Sequence, residues 1–208
     1  MSSFLCQVLV LNLDPTVTGL LRIDVTTIEG SIWRRRVVGV MGSGRSSYDG
    51  LAEPLGVWIA RQGFHLLTGG GGGVMAAVGK GFSTVANRKG LVVGVLPCAV
   101  DGPRSGTPLG YPDTWVELVI RTHLPLSGVQ GLSALSRNHI NVLSADVLIA
   151  LPGGFGTMSE IELASKYDRP CIAFIQDKHQ AVNLPEGMPV ATSLNDVAAF
   201  VLQTTSPD

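Results

Sequence analysis

The stretch that most constrains this chain runs from Val147 to Glu160. Val147–Leu151 is a continuous apolar run, the pattern of a strand buried on both faces, and it passes directly into Pro152-Gly153-Gly154-Phe155-Gly156. Thr157 then opens a helical pattern over Met158–Tyr167. Strand, glycine turn and helix start in immediate succession are how α/β proteins seat a phosphate. Glycine lets the backbone come close, and the first helical turn offers unpaired N–H groups and a partial positive charge. Glu160 is placed to reach beyond a phosphate to a sugar. Thr157-x-x-Glu160 also has the spacing of a capping box. A cap does not need Gly153, Gly154 and Gly156 before it, so the pattern favours a ligand site.

The same grammar recurs along the chain. Val37–Met41 is an apolar strand followed by Gly42-Ser43-Gly44-Arg45, and a helix follows to Gln62, starting near Glu53 or bending there because Pro54 lacks an N–H. Phe64–Leu67 is a second strand, ending at Thr68 and the glycines Gly69, Gly70, Gly71, Gly72 and Gly73, and a helix covers Val74–Val85. Further strands are expected at Leu91–Leu96, Trp115–Arg121, Val147–Leu151 and Cys171–Ile175. Further helices are expected from Gly128–Gly131 to Leu143 and at Leu194–Leu202, with a fraying end from Thr204 to Asp208. The loop Asp101–Pro112, rich in Gly, Pro and Ser, is expected to be mobile. Alternating strands and helices joined by short glycine turns predict an α/β fold: a doubly wound, mostly parallel sheet flanked by helices. Residues 37–208 form that single domain. Residues 1–36, with strand-like Gln7–Leu11 and Leu20–Thr27 but no glycine-turn-helix unit, are read as an N-terminal extension.

In such sheets ligands gather beyond the carboxyl ends of the strands. Three glycine turns fall there: Gly42–Arg45, Gly69–Gly73 and Gly153–Gly156. Five consecutive glycines lose much conformational freedom on folding, more than a mere connection warrants, so ligand contact is expected there and at Ser43 and Arg45. The first turn has Ser47 where a dinucleotide fingerprint places its third glycine, and no acidic residue ends the second strand, which disfavours a redox dinucleotide. Gly79-Lys80 lies inside a helix and is not a triphosphate loop. No Gly-x-Ser-x-Gly elbow marks a serine hydrolase.

Of the 208 residues 45% are hydrophobic and 15% charged, which suits a buried sheet and argues against disorder. The net charge of −1 provides no field for a nucleic-acid backbone, and Arg34-Arg35-Arg36 reads as a solvated edge before the first core strand. Cys6, Cys98 and Cys171 are scattered, as are His65, His123, His139 and His179, so neither a disulfide framework nor a protein metal site is expected, and reduced thiols point to the cytoplasm. The apolar run Phe4–Leu13 has no basic residue before it and is too short to span a bilayer, so no membrane association is expected. Arg137 falls off the stripe that Leu132, Leu135, His139 or Ile140, and Leu143 form at helical spacing. It is read as an exposed residue leaning over the site.

The turn Gly42–Ser47, Thr68–Met75, Gly94–Pro97, Arg137 and Pro152–Glu160 together resemble the LOG (Lonely Guy) superfamily, once labelled lysine decarboxylase-like, over about Val37–Leu202. The resemblance implies a Rossmann-like fold, a homodimer or homotetramer, and, in the founding branch, hydrolysis of nucleoside 5′-monophosphates to free base and ribose 5-phosphate. Arg137 and Glu160 would then be catalytic. Gly39–Gly44, Leu66–Gly70, Gly94–Pro97, Arg137-Asn138-His139-Ile140-Asn141 and Glu160–Ala164 resemble more closely the molybdenum cofactor carrier branch, whose members bind a phosphorylated pterin. That implies ligand contacts at Gly42–Arg45, Thr68–Gly73, Met75, Arg137, Asn138, Pro152–Thr157 and Glu160. The molybdenum cofactor is then a bound ligand, and the metal belongs to it. The hydrolase pattern has Lys and Glu where this chain has Asn138 and Ser159, which removes charge near a glycosidic bond. A DNA-recombination mediator shares the superfamily fold, but the near-neutral charge opposes that reading. The expectation is a binding protein for a phosphorylated fused-ring molecule, with the phosphoribohydrolase as the alternative.

Overall fold

The structure is a computed structural model that describes residues 6–11, 23–28, 34–99, 101, 106–177 and 184–205. It divides into two units, Met1–Arg34 and Arg35–Asp208. In the first, β1 (Cys6–Leu11) and β2 (Ile23–Ile28) pair antiparallel. Residues 20–22 of the expected second strand lie outside the described residues.

The second unit is an α/β Rossmann-like fold. Its strands are β3 (Val37–Met41), β4 (His65–Thr68), β5 (Val92–Leu96), β6 (Leu118–Arg121), β7 (Val147–Ala150), β8 (Cys171–Phe174) and β9 (Val190–Ala191). They form one sheet in the order β6-β5-β4-β3-β7-β8-β9, parallel at every pairing. The helices are α1 (Asp49–Arg61), α2 (Val74–Ser83), α3 (Asn138–Ser144), α4 (Phe155–Lys166) and α5 (Leu194–Thr205).

Two cores explain why the strands read as unbroken apolar runs. Val38, Val40, Leu66, Val147, Ile149 and Ile172 point to one face, where Leu55 and Ile59 of α1, Val78 and Phe82 of α2 and Val197 and Val201 of α5 cover them. Leu67, Val93, Val95 and Leu148 point to the other, against Val142 of α3 and Leu163 and Ala164 of α4. Each such side chain contributes about 1.5–3 kcal/mol of transfer free energy. Helices α1 and α2 meet backbone to backbone: a Cβ on Gly56 would lie 2.1 Å from the Val78 carbonyl oxygen, and one on Gly81 2.1 Å from that of Glu53.

Several boundaries differ from expectation. Helix α1 begins at Asp49, a turn before Glu53, with Pro54 inside it. The proline withdraws only the bond to the carbonyl of Gly50, which is exposed. Strand β9 has two residues, too few for a pattern. Helix α5 continues to Thr205, where the Thr204 and Thr205 hydroxyls donate to the Phe200 and Val201 carbonyls in place of the expected fraying. Residues 206–208, and residues 100 and 102–105 of the loop expected to be mobile, lie outside the described residues. Arg35 and Arg36 of the basic cluster engage the Gly63 carbonyl and Asp146. Among the described residues no helix is long and apolar enough to cross a membrane.

Candidate functional site

The strand order reverses at β3. Strands β4, β5 and β6 lie to one side of it, and β7, β8 and β9 to the other. The carboxyl ends of β3 and β7 therefore mark the switch point, the place where α/β sheets open a ligand crevice. The two turns are laced together. Leu151 N–H donates to the Met41 carbonyl at 2.8 Å and Ser43 N–H to the Pro152 carbonyl at 3.1 Å. The third glycine turn joins through Val74 N–H, which donates to the Ser43 carbonyl at 2.9 Å.

A cavity of about 610 Å³ opens at this point. Gly42, Ser43, Gly44 and Arg45 line it from the first turn, and Met75 from α2. Gly154, Phe155, Gly156, Thr157 and Glu160 line it from the start of α4, and Arg137 and Asn138 from the start of α3. Thr68, Gly69–Gly73, Pro152 and Gly153 stand outside this lining.

The glycine run shapes the cavity from behind. A Cβ on Gly69 would lie 2.5 Å from Arg137 Nη1, one on Gly71 2.9 Å from the Tyr111 ring, and one on Gly73 2.2 Å from the Ser43 carbonyl oxygen. The missing side chains give room to Arg137, to Tyr111 and to the neighbouring turn. Thr68 Oγ1 accepts the Gly70 N–H at 3.0 Å and fixes the bend.

Arg137 overturns the expectation of an exposed helix arginine. It is the residue before α3 and only 5% exposed. Its Nη1 donates to the Gly69 and Val95 carbonyls, and its guanidinium lies 5.4 Å from the centroid of the Tyr111 ring. Its Nε is buried without a partner. Burial lowers its pKa, while the nearby Tyr111 and Glu160 groups favour the charge. The expected helix over this region breaks into a 3₁₀ turn, Gly128–Gln130, and α3. Of its expected buried stripe, Leu132, Leu135 and Leu143 are exposed and only Ile140 packs against a core, while Ser136, Arg137, Asn138 and Asn141 are buried. The polar face turns inward because its groups find partners there.

The capping box does not form. Helix α4 begins at Phe155 behind Gly154, so Thr157 lies within its first turn and no side chain caps the end. A Cβ on Gly153 would lie 2.0 Å from Thr157 Oγ1, so the threonine folds back over that glycine. Glu160 accepts from Asn141 Nδ2 at 2.9 Å and does not reach back along its own helix. Burial raises the Glu160 pKa, against the opposing effects of the Asn141 bond and the Arg137 charge. Asn138 Nδ2 donates to Ser159 Oγ at 2.9 Å, and Ser159 Oγ donates to the Gly156 carbonyl at 2.7 Å. A Cβ on Gly131 would lie 1.9 Å from that hydroxyl.

Sequence reasoning missed Tyr111, Met41 and Val129 in the lining, and Asn141 behind it. Asn141 lies four residues after Arg137, on the same helical face, and that spacing was the available signal. Tyr111, in a glycine- and proline-rich loop, carries no periodic signal. Ser43 Oγ accepts from the Arg45 and Ser46 N–H groups at 3.1 and 3.0 Å, so it shapes its turn as well as facing the cavity. Cys98 and Cys171 are free thiols. Burial, with the Glu160 charge, pushes Cys171 up to about 12, which leaves it protonated. Among the described residues no group of His, Cys, Asp and Glu gathers to hold a metal ion.

The crevice combines a helix start, an exposed cation at Arg45, a buried cation at Arg137 and, among the described residues, a single buried carboxyl. That set can hold an anion against peptide N–H groups and leaves a flat group room beside Met75 and Tyr111. Comparison with known proteins agrees with the architecture. The model of the SLOG cluster4 family matches residues 35–198, and the chain belongs to that family. An uncharacterized protein of Archaeoglobus fulgidus is 34% identical over 131 residues, 62% of this chain and 73% of its own length. The structure of a molybdenum cofactor binding protein from the phototrophic bacterium Rippkaea orientalis is similar with a TM-score of 0.66 at 30% identity, covering 83% of this chain and 99% of that one. That of the molybdenum cofactor carrier protein of Chlamydomonas reinhardtii is similar with a TM-score of 0.62 at 32% identity, covering 82% and 98%.

Proposed function

We propose that this SLOG cluster4 protein binds a phosphorylated fused-ring small molecule, the molybdenum cofactor or a close relative, and carries it without cleaving it. The observation that carries this reading is the joint placement of the α4 start, Arg137 and Arg45 around one cavity at the sheet's switch point. The cavity falls within the range of about 300–1,000 Å³ of small-molecule sites. Peptide N–H groups at Gly156 and Thr157 would hold the phosphate, with Arg45 closing over it. Arg137 would supply fixed positive charge from behind. Met41, Met75 and Tyr111 would bed the ring system. The residues present fit such a ligand, whose dithiolene sulfurs hold its own metal when bound. Among the described residues no cysteine lines the cavity, and in this reading the metal belongs to the ligand.

The contact between Asn138 and Ser159 supports carriage over hydrolysis. These are the two positions at which the chain departs from the hydrolase pattern, and they touch. A neutral hydrogen-bonded pair there adds no charge beside a developing oxocarbenium ion. Glu160, buried and held by Asn141, is poorly placed in energy to carry negative charge toward a sugar carbon. Equilibrium dialysis of the purified full chain against the molybdenum cofactor is expected to give submicromolar binding, and incubation with AMP no adenine. Adenine release that vanishes in Glu160→Gln, with no cofactor binding, would establish the phosphoribohydrolase instead. Exposed Val129, Leu132 and Leu135 support self-association as a homodimer or homotetramer, which light scattering reads directly. Free cysteines accord with a cytoplasmic location.

A further inference from the structure

The start of α4 has a cavity on each side. The second, of about 580 Å³, shares Gly154, Phe155 and Thr157 with the first. It then runs across the carboxyl ends of β7 and β8 along the opposite flank of the helix, where Met158, Ile161 and Glu162 line it. On α4, Gly156 and Glu160 are four residues apart and face the first cavity. Ile161 and Glu162, three and four residues after Met158, face the second with it. Phe155, 73% exposed, belongs to both linings and stands at their junction.

The two cavities differ in chemistry. The first holds two guanidinium groups and a buried carboxyl. The second has an apolar floor of Leu151, Ala173 and Ile175 and, among the described residues, one carboxylate, the exposed Glu162. An apolar floor with a carboxylate at its side suits a flat ring that carries adjacent N–H donors. A monophosphate has one organic arm and fills one cavity. A pyrophosphate has two, and the shared seat lies between two spaces of similar size.

We infer that the ligand is two-armed. A pyrophosphate sits at the α4 start, the fused-ring group occupies the first cavity, and a purine nucleoside with adjacent N–H donors, such as guanosine, occupies the second, its N–H groups on Glu162. This rests on the carrier reading and narrows its ligand class to a pyrophosphate-linked dinucleotide.

The test is calorimetric titration of the full-length protein with two probes: the molybdenum cofactor, and the same cofactor joined to guanosine through a pyrophosphate. The joined form is expected to bind at least tenfold more tightly. Met158→Trp fills the second cavity from α4 and is expected to remove that advantage while leaving affinity for the unextended cofactor unchanged. Glu162→Ala, on the exposed rim, is expected to reduce the advantage at least threefold and serves where the tryptophan variant fails to fold. Equal affinities for the two probes in the unmodified protein, or an advantage that survives both variants, would overturn the two-armed ligand and leave the carrier reading standing. A parallel loss of both affinities in Met158→Trp with an unchanged melting temperature would also overturn it, because the cavities would then act as one. Failure of both probes to bind would remove the carrier reading itself.

Discussion

Arg137 and Arg45 are the same residue type in opposite settings, and the proposed function assigns stability to one and binding to the other. Arg137 is buried and satisfies the carbonyls of Gly69 and Val95. Arg137→Ala removes this buried partner from both acceptors and leaves a cavity, so denaturant unfolding is expected to show a loss of about 3 kcal/mol or more. Arg45 is exposed at the rim. Arg45→Ala is expected to change stability by less than about 0.5 kcal/mol, yet to weaken cofactor binding about tenfold and flatten its salt dependence. Glu160 gives a pH signature. Burial holds its carboxyl above its ordinary value of 4.5, so the folded chain keeps the proton to higher pH than the unfolded chain does. The stability tied to that proton is fully present below the ordinary value and is lost as pH rises through the elevated native one. Glu160→Gln, which keeps an acceptor for Asn141, is therefore expected to match the unmodified protein near pH 4 and to exceed its stability at pH 8. A difference independent of pH would contradict the burial of an ionisable carboxyl.

At the scale of elements, the glycine turns are scaffolds with unequal tolerances. Gly153 and Gly154 are adjacent, but a Cβ on Gly153 meets Thr157 Oγ1 at 2.0 Å while one on Gly154 meets nothing within 4 Å. Gly153→Ala is expected to displace Thr157 and lower stability by about 1–3 kcal/mol, with Gly154→Ala within about 0.5 kcal/mol of the parent, both read by thermal unfolding. Much of this architecture was legible in the chain. Val37–Met41 and Val147–Leu151 read as strands because both their faces are covered, and the turns after them read as a site because glycine clusters at strand ends. The details of α3 were not legible. Its periodicity assigned Leu132, Leu135 and Leu143 to the interior, but Arg137, Asn138 and Asn141 go inward because Gly69, Ser159 and Glu160 await them from distant parts of the chain. Local pattern carries no information about partners 19 to 68 residues away. The Thr157–Glu160 spacing also fits a capping box that does not form, because Asn141 takes the Glu160 carboxyl from a distant part of the chain. Tyr111 reaches the site only through the tertiary placement of its loop.

For the whole molecule, the switch point between β3 and β7 organises everything else. It brings the carboxyl ends of two strands, the starts of α2 and α4 and the residue preceding α3 to one crevice, with Arg45, Arg137 and the first turn of α4 lining a common space. Anion capture at the α4 start is the claim on which the carrier reading and its two-armed extension both depend. It is tested most directly by titrating the purified protein with the molybdenum cofactor and with the same pterin stripped of its phosphate. Charge-assisted hydrogen bonds of about 1.5–3 kcal/mol predict that loss of the phosphate weakens binding roughly ten- to hundredfold. Equal affinity for the two forms would contradict the account.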